Sequence, residues 1–349
     1  MDVRDHPGIP VVSRRRFLKQ TFAFSALAAV GSPFLGCGGS GPQSGNDSPG
    51  NAAAAADFLV IGDWGTGDAN QALVAAAMQS YVTRQNIATG AMLMIGDNFY
   101  TPMDDGANDK RWQTQFEQMY PAGVFNCPAY AIPGNHDYEY LPISKFSAQL
   151  EYAQKAGTRW TMPSQWYRVT FPTANPLVTF LALDSNMPFG NGATRDGTFY
   201  CMTAQQRLDQ LAWLKEELAK PLTTPFLVAL GHHPIYSNGM RGDTPMLVQD
   251  WDPLLRSSGA HVYLCGHDHD LQHLEFAGHP TSFVVSGGGG APLYRIVIDE
   301  SVRGPYAVQV NGFTHVTVTP ALMTLRHVDL NGNVVHAFTK TTDHKVTIL

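Results

Sequence analysis

Five short apolar segments of this chain end in the same way: a glycine is followed directly by side chains that bind metals or transfer protons. The endings are GD at 62–63, GDNFY at 96–100, GNHD at 134–137, GHH at 231–233 and GHDH at 266–269. Such short, uniformly apolar segments are typical of strands buried on both faces of a sheet. Helical patterns at 70–86, 109–120 and 203–220 lie between them, and Thr203 is a candidate N-cap for the last of these. This order favours parallel strands joined by right-handed crossovers, and therefore an α/β fold.

The positions of these endings predict one functional site. In α/β sheets, binding sites form beyond the carboxyl ends of the strands, and a glycine permits the close backbone approach that such a site needs. A single ending of this kind could be a turn, because Gly, Asn and Asp all favour turns. Five endings with the same chemistry favour a site, and we expect them to converge on one edge.

The donor types at this edge predict metal ions. Carboxylate, imidazole, amide and phenol groups without thiolates suit iron, manganese, zinc or magnesium rather than copper(I) or an iron–sulfur cluster. Two metals that share a bridging carboxylate need about seven or eight donors. The candidates are Asp63, Asp97, Tyr100, Asn135, His232, His267 and His269. Their number fits a dinuclear centre and exceeds what one metal would need.

Composition narrows the class of protein. The chain has 349 residues, 44% of them apolar, and can bury at least one large core. A net charge of −6 excludes a broad basic surface, so we expect no nucleic acid binding. Four cysteines are too few for a disulfide scaffold, although Cys127 and Cys201 could pair in an oxidising compartment. Alternating segments near the C-terminus predict antiparallel strands, with a hairpin turn at Asn331 and Gly332.

The first 56 residues predict export rather than a part of the fold. A basic segment at 13–19, SRRRFLK, precedes an apolar segment at 22–30 that is too short to span a bilayer. The Arg-Arg pair in this context resembles a twin-arginine export signal. We predict a signal peptide at 1–37, a flexible linker at 38–56 and one catalytic domain at 57–349.

The sequence FLGC, which ends at Cys37, resembles a bacterial lipoprotein cleavage box, with Phe in place of the usual Leu. In such a box the cysteine becomes the lipidated first residue; the alternative is a plain cleavage site with a stray cysteine. The prediction is a monomer in the periplasm or at the cell surface, whose membrane contact is only through a lipid on Cys37.

The ordered motifs GDWG, GDNFY, GNHD, GHHP and GHDH, between residues 62 and 269, resemble the metallophosphoesterases. They are most similar to the small purple acid phosphatases of the tartrate-resistant type, because Tyr100 stands three residues after Asp97. In that group a phenolate binds ferric iron and gives the purple colour. The resemblance implies a four-layer α/β/β/α sandwich of two mixed β-sheets flanked by helices.

The resemblance also implies how the donors divide. One metal, Fe(III), would take Asp63, Asp97, Tyr100 and His269. The other, which is Fe, Zn or Mn, would take Asp97, Asn135, His232 and His267, so that Asp97 bridges. Metal-bound hydroxide would then attack the phosphorus of a small phosphorylated substrate in line with the leaving alkoxide.

Three further residues are predicted to act on the substrate. His136 would protonate the leaving group or hold the phosphate, and Asp137 either orients His136 or caps the next turn. The family places a second catalytic histidine where this chain has Arg241, which binds phosphate but is no general acid. Either His136 takes the acid role alone, or His233 shares it, or easy leaving groups are preferred. His233 could equally be packed behind the ligands.

The predicted function is that of an acid phosphatase acting on phosphate monoesters. A phosphodiesterase or nucleotidase on the same scaffold is one alternative, and a non-catalytic, metal-containing surface lipoprotein is another. Six histidines are predicted to be surface or hydrogen-bonded core residues rather than ligands, namely His261, His273, His279, His315, His327 and His336.

Overall fold

The computed structural model describes residues 55–139, 145–188, 190–195 and 198–349. Its strands are β1 (Ala56–Ile61), β2 (Thr89–Ile95), β3 (Ala129–Ile132), β4 (Trp160–Thr161), β5 (Tyr167–Phe171), β6 (Val178–Ala182), β7 (Ala193–Arg195), β8 (Thr198–Tyr200), β9 (Phe226–Leu230), β10 (Val262–Cys265), β11 (Leu271–Leu274), β12 (Ser282–Ser286), β13 (Pro305–Val308), β14 (Gly312–Val318), β15 (Leu322–Asp329), β16 (Val334–Thr341) and β17 (Val346–Ile348). Its α-helices are α1 (Ala69–Gln85), α2 (Asn135–Tyr138), α3 (Lys145–Tyr152), α4 (Ala204–Ala219), α5 (Pro245–Asp250) and α6 (Asp252–Ser258).

The strands form two mixed sheets and a small hairpin. The eight-stranded sheet has the order β17-β16-β15-β14-β1-β2-β3-β4, and the seven-stranded sheet has the order β13-β11-β12-β10-β9-β6-β5. Strands β1, β2 and β3 pair in parallel, as the β-α-β pattern predicted. In the second sheet β9 pairs in parallel with both β6 and β10. The hairpin turn predicted at Asn331 and Gly332 joins the antiparallel pair β15 and β16.

Alternation along β1 shows how the layers are built. Phe58 and Val60 point between the two sheets, whereas Leu59 and Ile61 pack on the other face with residues of α1. A third apolar cluster packs the outer face of the seven-stranded sheet against α4, α5 and α6. Because a strand buried on both faces needs apolar side chains at every position, these segments are continuously apolar. The predicted α/β/β/α sandwich is confirmed.

Two helix predictions have different outcomes. Helix α4 begins after Thr203, whose hydroxyl accepts a hydrogen bond from the backbone amide of Gln206 at 3.1 Å. The backbone amide of Thr203 in turn donates to Gln206 Oε1 at 2.8 Å. This capping box confirms the predicted N-cap. The segment 109–120, predicted as a helix, is instead π-helical at Trp112–Glu117. There the Gln115 carbonyl accepts a hydrogen bond from the Gln71 side chain at 2.7 Å, outside the helix.

The N-terminal predictions fall on undescribed residues. The signal peptide at 1–37, Cys37 and nearly all of the linker at 38–56 lie outside the described residues, so this division remains a prediction. No helix in the described ranges is long and apolar enough to cross a membrane. Cys127 and Cys201 are both free thiols in this structure, so the disulfide considered from the sequence is not formed.

Candidate metal centre

All five polar strand endings meet at one end of the sandwich. The sequence led us to expect one edge, but β1–β3 belong to one sheet and β9 and β10 to the other. Gly62 and Gly266 allow the two sheets to approach closely. A Cβ at Gly62 would lie 3.2 Å from the Gly266 Cα, and a Cβ at Gly266 would lie 2.4 Å from Asp63 Oδ2. The absence of side chains at Gly62 and Gly266 therefore permits this close contact.

Three of the predicted ligands have left-handed backbone conformations. Their φ angles are 59° for Asp63, 52° for Asp97 and 68° for His267. Non-glycine residues adopt such angles at a cost of about 1–3 kcal/mol each, and they cluster at functional sites. No local sequence pattern reveals this strain, because Asp and His occur in ordinary turns as well.

The first predicted ligand group is assembled. Asp63 Oδ1 lies 3.4 Å from His269 Nε2 and 3.5 Å from the Tyr100 hydroxyl. The Tyr100 hydroxyl lies 3.4 Å from His269 Nε2. Ligand atoms of Asp63, Asp97 and His269 all lie within 4.8 Å of one another. Donor atoms 3.4–3.5 Å apart can bind the same cation, because the ligands of a transition metal lie about 2.0–2.3 Å from it.

The second predicted group lies next to the first and shares Asp97 with it. His232 Nε2 lies 3.4 Å from Asp97 Oδ1 and 3.2 Å from Asn135 Oδ1. The His267 ring lies 5.2 Å from the His232 ring, centroid to centroid. All seven predicted ligands therefore border one space, with Asp97 between the two groups.

Asp97 provides the observation that tests whether metals fit. Its Oδ2 atom is buried and has no hydrogen-bond partner among the described residues. A buried carboxylate oxygen without a partner is strongly unfavourable, because its lost hydration is not replaced. A cation at this oxygen would supply the missing interaction. The donor set and the unsatisfied oxygen thus fit a bridged pair of metal ions.

Two of the histidines have the orientation that metal ligands need. His232 Nδ1 lies 3.1 Å from the Ile95 carbonyl, and His269 Nδ1 lies 2.7 Å from the Pro292 carbonyl. Each carbonyl accepts the Nδ1 proton, so Nε2 of each ring is the nitrogen directed at the carboxylates and the one that a metal would bind. Partners of this kind fix the tautomer and ring orientation of metal-binding histidines.

The electrostatics of the metal-free centre also favour a cation. Burial alone lowers the pKa of His232, but Asp97 and Asp63 outweigh it and raise that pKa to about 9. Burial, together with the negative charges of Asp97 and Asp63, raises the pKa of Tyr100 well above its usual value. Without metal, a proton on His232 supplies the positive charge of the site. Metal ions and protons therefore compete for these groups.

His136 lies at the start of α2, and the carboxylate that contacts its ring is that of Glu139 rather than that of Asp137, which the sequence analysis considered. Its amide donates to Asp97 Oδ1 at 2.8 Å, and its Nδ1 lies 3.0 Å from Glu139 Oε2. Asp137 instead accepts from the amides of Gly134, at 2.8 Å, and Phe99, at 3.1 Å. Asp137 therefore caps the turn, and Glu139 contacts His136. Sequence reasoning missed Glu139, although the i,i+3 spacing was a usable signal.

His233 is buried behind the predicted ligands. Its Nδ1 lies 2.8 Å from the Ser185 hydroxyl, and its ring lies 4.3 Å from the His267 ring. Burial and the neighbouring His232 hold its pKa well below the usual value, so the ring is neutral. This packing fits the interpretation of His233 as a support for His267, although it also borders the cavity.

Arg241 is exposed at the rim of the site and pairs with a residue that the sequence did not single out. Its Nη2 donates to the Tyr294 hydroxyl at 2.8 Å, and the guanidinium lies 4.9 Å from the centroid of that ring. The Tyr294 ring in turn stacks on His269 at 4.0 Å. No periodic signal could have found Tyr294, because it follows the glycine-rich segment at 286–290.

A cavity of about 520 Å³ opens onto the centre. The predicted catalytic and ligand residues on its wall are Asn135, His136, His233, Arg241 and His267, together with Glu139. The rest of the lining comes from residues 190–192 and 242–245. A small phosphorylated molecule could therefore reach both His136 and Arg241 from the solvent.

Comparisons with known proteins agree with this geometry. Residues 56–271 match the model of the family "Calcineurin-like phosphoesterase". The chain is 35% identical over 296 residues to tartrate-resistant acid phosphatase type 5 of Mus musculus, which covers 79% of this chain and 87% of that protein. It is 30% identical to purple acid phosphatase 7 of Arabidopsis thaliana, with 80% and 84% covered.

A solved structure described as "GAP50 the anchor in the inner membrane complex of Plasmodium" has a TM-score of 0.69 at 22% identity. The match covers 84% of this chain and 89% of that one, and at this identity it shows the fold alone. The family match spans more than half of the chain and includes all five strand endings. By its fold, its site and its relatives, this chain belongs to the calcineurin-like phosphoesterase family.

Proposed function

We propose that the chain is a purple acid phosphatase-like enzyme that hydrolyses monoesters of phosphoric acid through a dinuclear metal centre. The observation that carries the proposal is the unsatisfied Asp97 Oδ2 between two groups of donors. Relatives named as acid phosphatases cover most of the chain and support the same reaction.

The proposed ligand sets are those implied by the motifs. Fe(III) would be held by Asp63, Asp97, Tyr100 and His269, and Fe, Zn or Mn by Asp97, Asn135, His232 and His267. Such a metal pair, when bound, lowers the pKa of water and neutralises the charge of the phosphate.

The chain's own side chains would position the substrate and transfer the proton. Arg241 presents a planar guanidinium at the cavity rim, which suits the oxygen atoms of a phosphate. Tyr294 holds that guanidinium by a hydrogen bond and from its ring face. His136, which lies on the same cavity, would donate a proton to the leaving oxygen.

The substrate class is tested with the full-length protein and three phosphate compounds. We expect fast hydrolysis of p-nitrophenyl phosphate, slower hydrolysis of AMP and little of bis(p-nitrophenyl) phosphate. A preference for the diester or for AMP would support the phosphodiesterase or nucleotidase alternative. Metal binding without any hydrolysis would support the non-catalytic surface lipoprotein.

We also propose export by the twin-arginine route and attachment through a lipid on Cys37, with the catalytic part monomeric. The motif at 13–19 and the sequence FLGC support this proposal. Labelling of cells with a palmitate analogue should tag the wild-type protein and leave Cys37→Ala unlabelled. Equal labelling of both would contradict the lipid, and an Arg14→Lys, Arg15→Lys variant that is still exported would contradict the route.

A further inference from the structure

His136 lies in α2 and pairs with Glu139, the residue directly after that helix. The His136 Nδ1 atom lies 3.0 Å from Glu139 Oε2. The side chain of His136 is 30% exposed to the cavity, whereas that of Glu139 is only 10% exposed. The histidine therefore faces the substrate space, and the glutamate lies behind it.

Other contacts fix both members of this pair. Lys145 is fully buried, and its Nζ lies 3.9 Å from Glu139 Oε2 and donates to the Phe99 carbonyl at 2.7 Å. This cation stabilises a negative charge on Glu139. The His136 ring lies against the ring of Tyr100, with centroids 4.4 Å apart. The imidazole thus has a carboxylate at one edge and an aromatic ring on one face.

The pair decides which ring nitrogen of His136 carries the transferable proton. A carboxylate only accepts hydrogen bonds, so Nδ1 must keep its hydrogen to bond Glu139. The proton that can leave the ring is then the one on Nε2. That atom lies 4.0 Å from Asp97 Oδ2 and so points toward the centre. Glu139 therefore directs the donor nitrogen toward the reacting groups.

The other described cavity residues are poor proton donors. Arg241 keeps its proton at any ordinary pH. His233 is neutral and its Nδ1 is engaged by Ser185. Asp243 accepts from the Arg303 guanidinium at 2.6 Å. His136 is thus the donor that the geometry favours for the leaving oxygen.

We propose that Glu139 is a positioning residue that fixes His136 as the proton donor and thereby lets this enzyme hydrolyse alkyl phosphate monoesters. The inference rests on the proposed phosphatase function. As the oxygen of a hydroxide ion forms the new bond to phosphorus, the P–O bond to the alcohol breaks and its electron pair stays on the alcohol oxygen. That oxygen takes the proton from Nε2 of His136. The ring that remains is neutral, and its Nδ1–H still donates a hydrogen bond to Glu139. An alkoxide needs this proton, whereas p-nitrophenolate leaves without it.

The test measures kcat and KM of full-length Glu139→Leu and Glu139→Gln with p-nitrophenyl phosphate and with glycerol 2-phosphate. Both variants should lose roughly tenfold to a hundredfold of kcat on glycerol 2-phosphate and less than about threefold on p-nitrophenyl phosphate, with KM nearly unchanged. Gln is included because its side-chain amide can either accept a hydrogen bond from Nδ1–H or donate one to a bare Nδ1. Unlike a carboxylate, it therefore does not select one tautomer of His136. The matched control is Glu117→Gln, which makes the same substitution at a glutamate that does not line the cavity and pairs with Arg159 at 2.7 Å. This variant should resemble wild type on both substrates.

An equal loss of kcat on both substrates, or no loss on either, would overturn the positioning role. If Glu139→Leu does not fold, the isosteric Glu139→Gln decides the question. A wild-type protein that hydrolyses neither monoester would instead contradict the proposed function, so the two failures are distinguishable. Metal content equal to that of wild type in both variants should accompany the expected result.

Discussion

Two sets of histidines in this fold differ in what their ring nitrogens face. The centre histidines, His232, His267 and His269, follow β9 and β10 and border the carboxylates of Asp63 and Asp97. The sandwich histidines, which are His273, His327 and His336, lie on β11, β15 and β16. Both sets are drawn from polar side chains in largely buried strands or strand ends, so burial alone does not identify a metal ligand.

Both ring nitrogens of His273 and of His327 have partners within the protein. His327 Nδ1 lies 2.9 Å from the Thr314 hydroxyl and its Nε2 lies 3.1 Å from the Gln272 carbonyl. His273 Nδ1 lies 3.0 Å from His336 Nε2, and His273 Nε2 lies 2.7 Å from Glu275. In the centre, by contrast, His232 and His269 are each anchored by a carbonyl at Nδ1 and direct Nε2 at Asp97 or Asp63, and Asp97 Oδ2 there has no hydrogen-bond partner among the described residues. An anchored ring beside an unsatisfied carboxylate is therefore the better sign of a metal site.

The pKa values of His327 and His336 differ in direction from that of His232. Burial, with the nearby His336, lowers the pKa of His327 to about 3, and burial with His273 lowers that of His336 to about 4. The carboxylates instead overcome burial at His232 and raise its pKa to about 9. The surroundings of His327 and His336 thus exclude positive charge and those of His232 attract it, whereas burial and the neighbouring His233 and His232 hold the pKa of His267 well below its usual value.

The largest effect expected from this comparison is on metal binding and activity. His232→Ala should lose one metal and roughly a thousandfold or more of kcat, because a metal contributes several kcal/mol to catalysis. His327→Gln, its matched control, should keep both metals and nearly all activity per folded molecule. Metal analysis and kcat on p-nitrophenyl phosphate measure both. Loss of metal in His327→Gln, or full retention in His232→Ala, would break the distinction.

A change at Tyr100 should be visible directly. Tyr100→Phe should abolish the visible absorption band and leave the fold intact, because only the phenol oxygen is removed and its ring still packs on His136. The absorption spectrum checks this, with circular dichroism as the control for folding. An unchanged spectrum would remove Tyr100 from the ligand set.

Asn135 sharpens the division into two ligand groups. Asn135→Ala should weaken the second metal by about tenfold to a hundredfold and spare the first, since its Oδ1 contacts His232 and not the Asp63 group. Stepwise removal of metals by a chelator, followed by metal analysis, measures the two affinities. Equal weakening of both metals would contradict the proposed division.

The smallest expected effect is on stability in acid. The folded-state pKa of His327, about 3, lies below the ordinary value of about 6.5, so the unfolded chain binds the proton first as pH falls. The contribution of neutral, buried His327 to the free energy of unfolding is therefore intact above about pH 6.5 and is lost progressively as the pH falls toward about 3. At pH 4.5 it should cost about 2–3 kcal/mol of unfolding free energy. The unfolding free energy of the metal-free protein is measured by urea unfolding at pH 7.5 and at pH 4.5. Its fall between these pH values should be smaller by that amount in His327→Gln than in the wild type. An equal fall in the two proteins would contradict the prediction.

The sequence predicted the local order of the fold well. Apolar strand segments, the capping box at Thr203 and the parallel trio β1–β3 follow from short-range patterns, which a single sequence displays. Two sheets meeting at Gly62 and Gly266 depend on long-range pairing, which no local pattern encodes. For that reason the endings converge from two edges rather than one.

Within the candidate site, the limits have the same origin. All six histidines set aside from the sequence have protein partners, as expected; His315, for example, contacts Asp57 at 3.0 Å. Glu139 and Tyr294 were missed because their roles depend on where a short helix ends and how a glycine-rich loop returns. Residue types at strand ends identify donors, whereas the partners that orient those donors come from irregular segments.

The most direct test of the account is metal analysis of the purified full-length protein, combined with its visible spectrum and its phosphatase activity. We predict two metals per chain, a purple colour, and hydrolysis of p-nitrophenyl phosphate at acidic pH that a chelator abolishes and added metal restores. A colourless protein with two zinc or manganese ions would keep the dinuclear centre and remove the Tyr100–iron assignment. Full activity with one metal or none per folded chain would contradict the central claim.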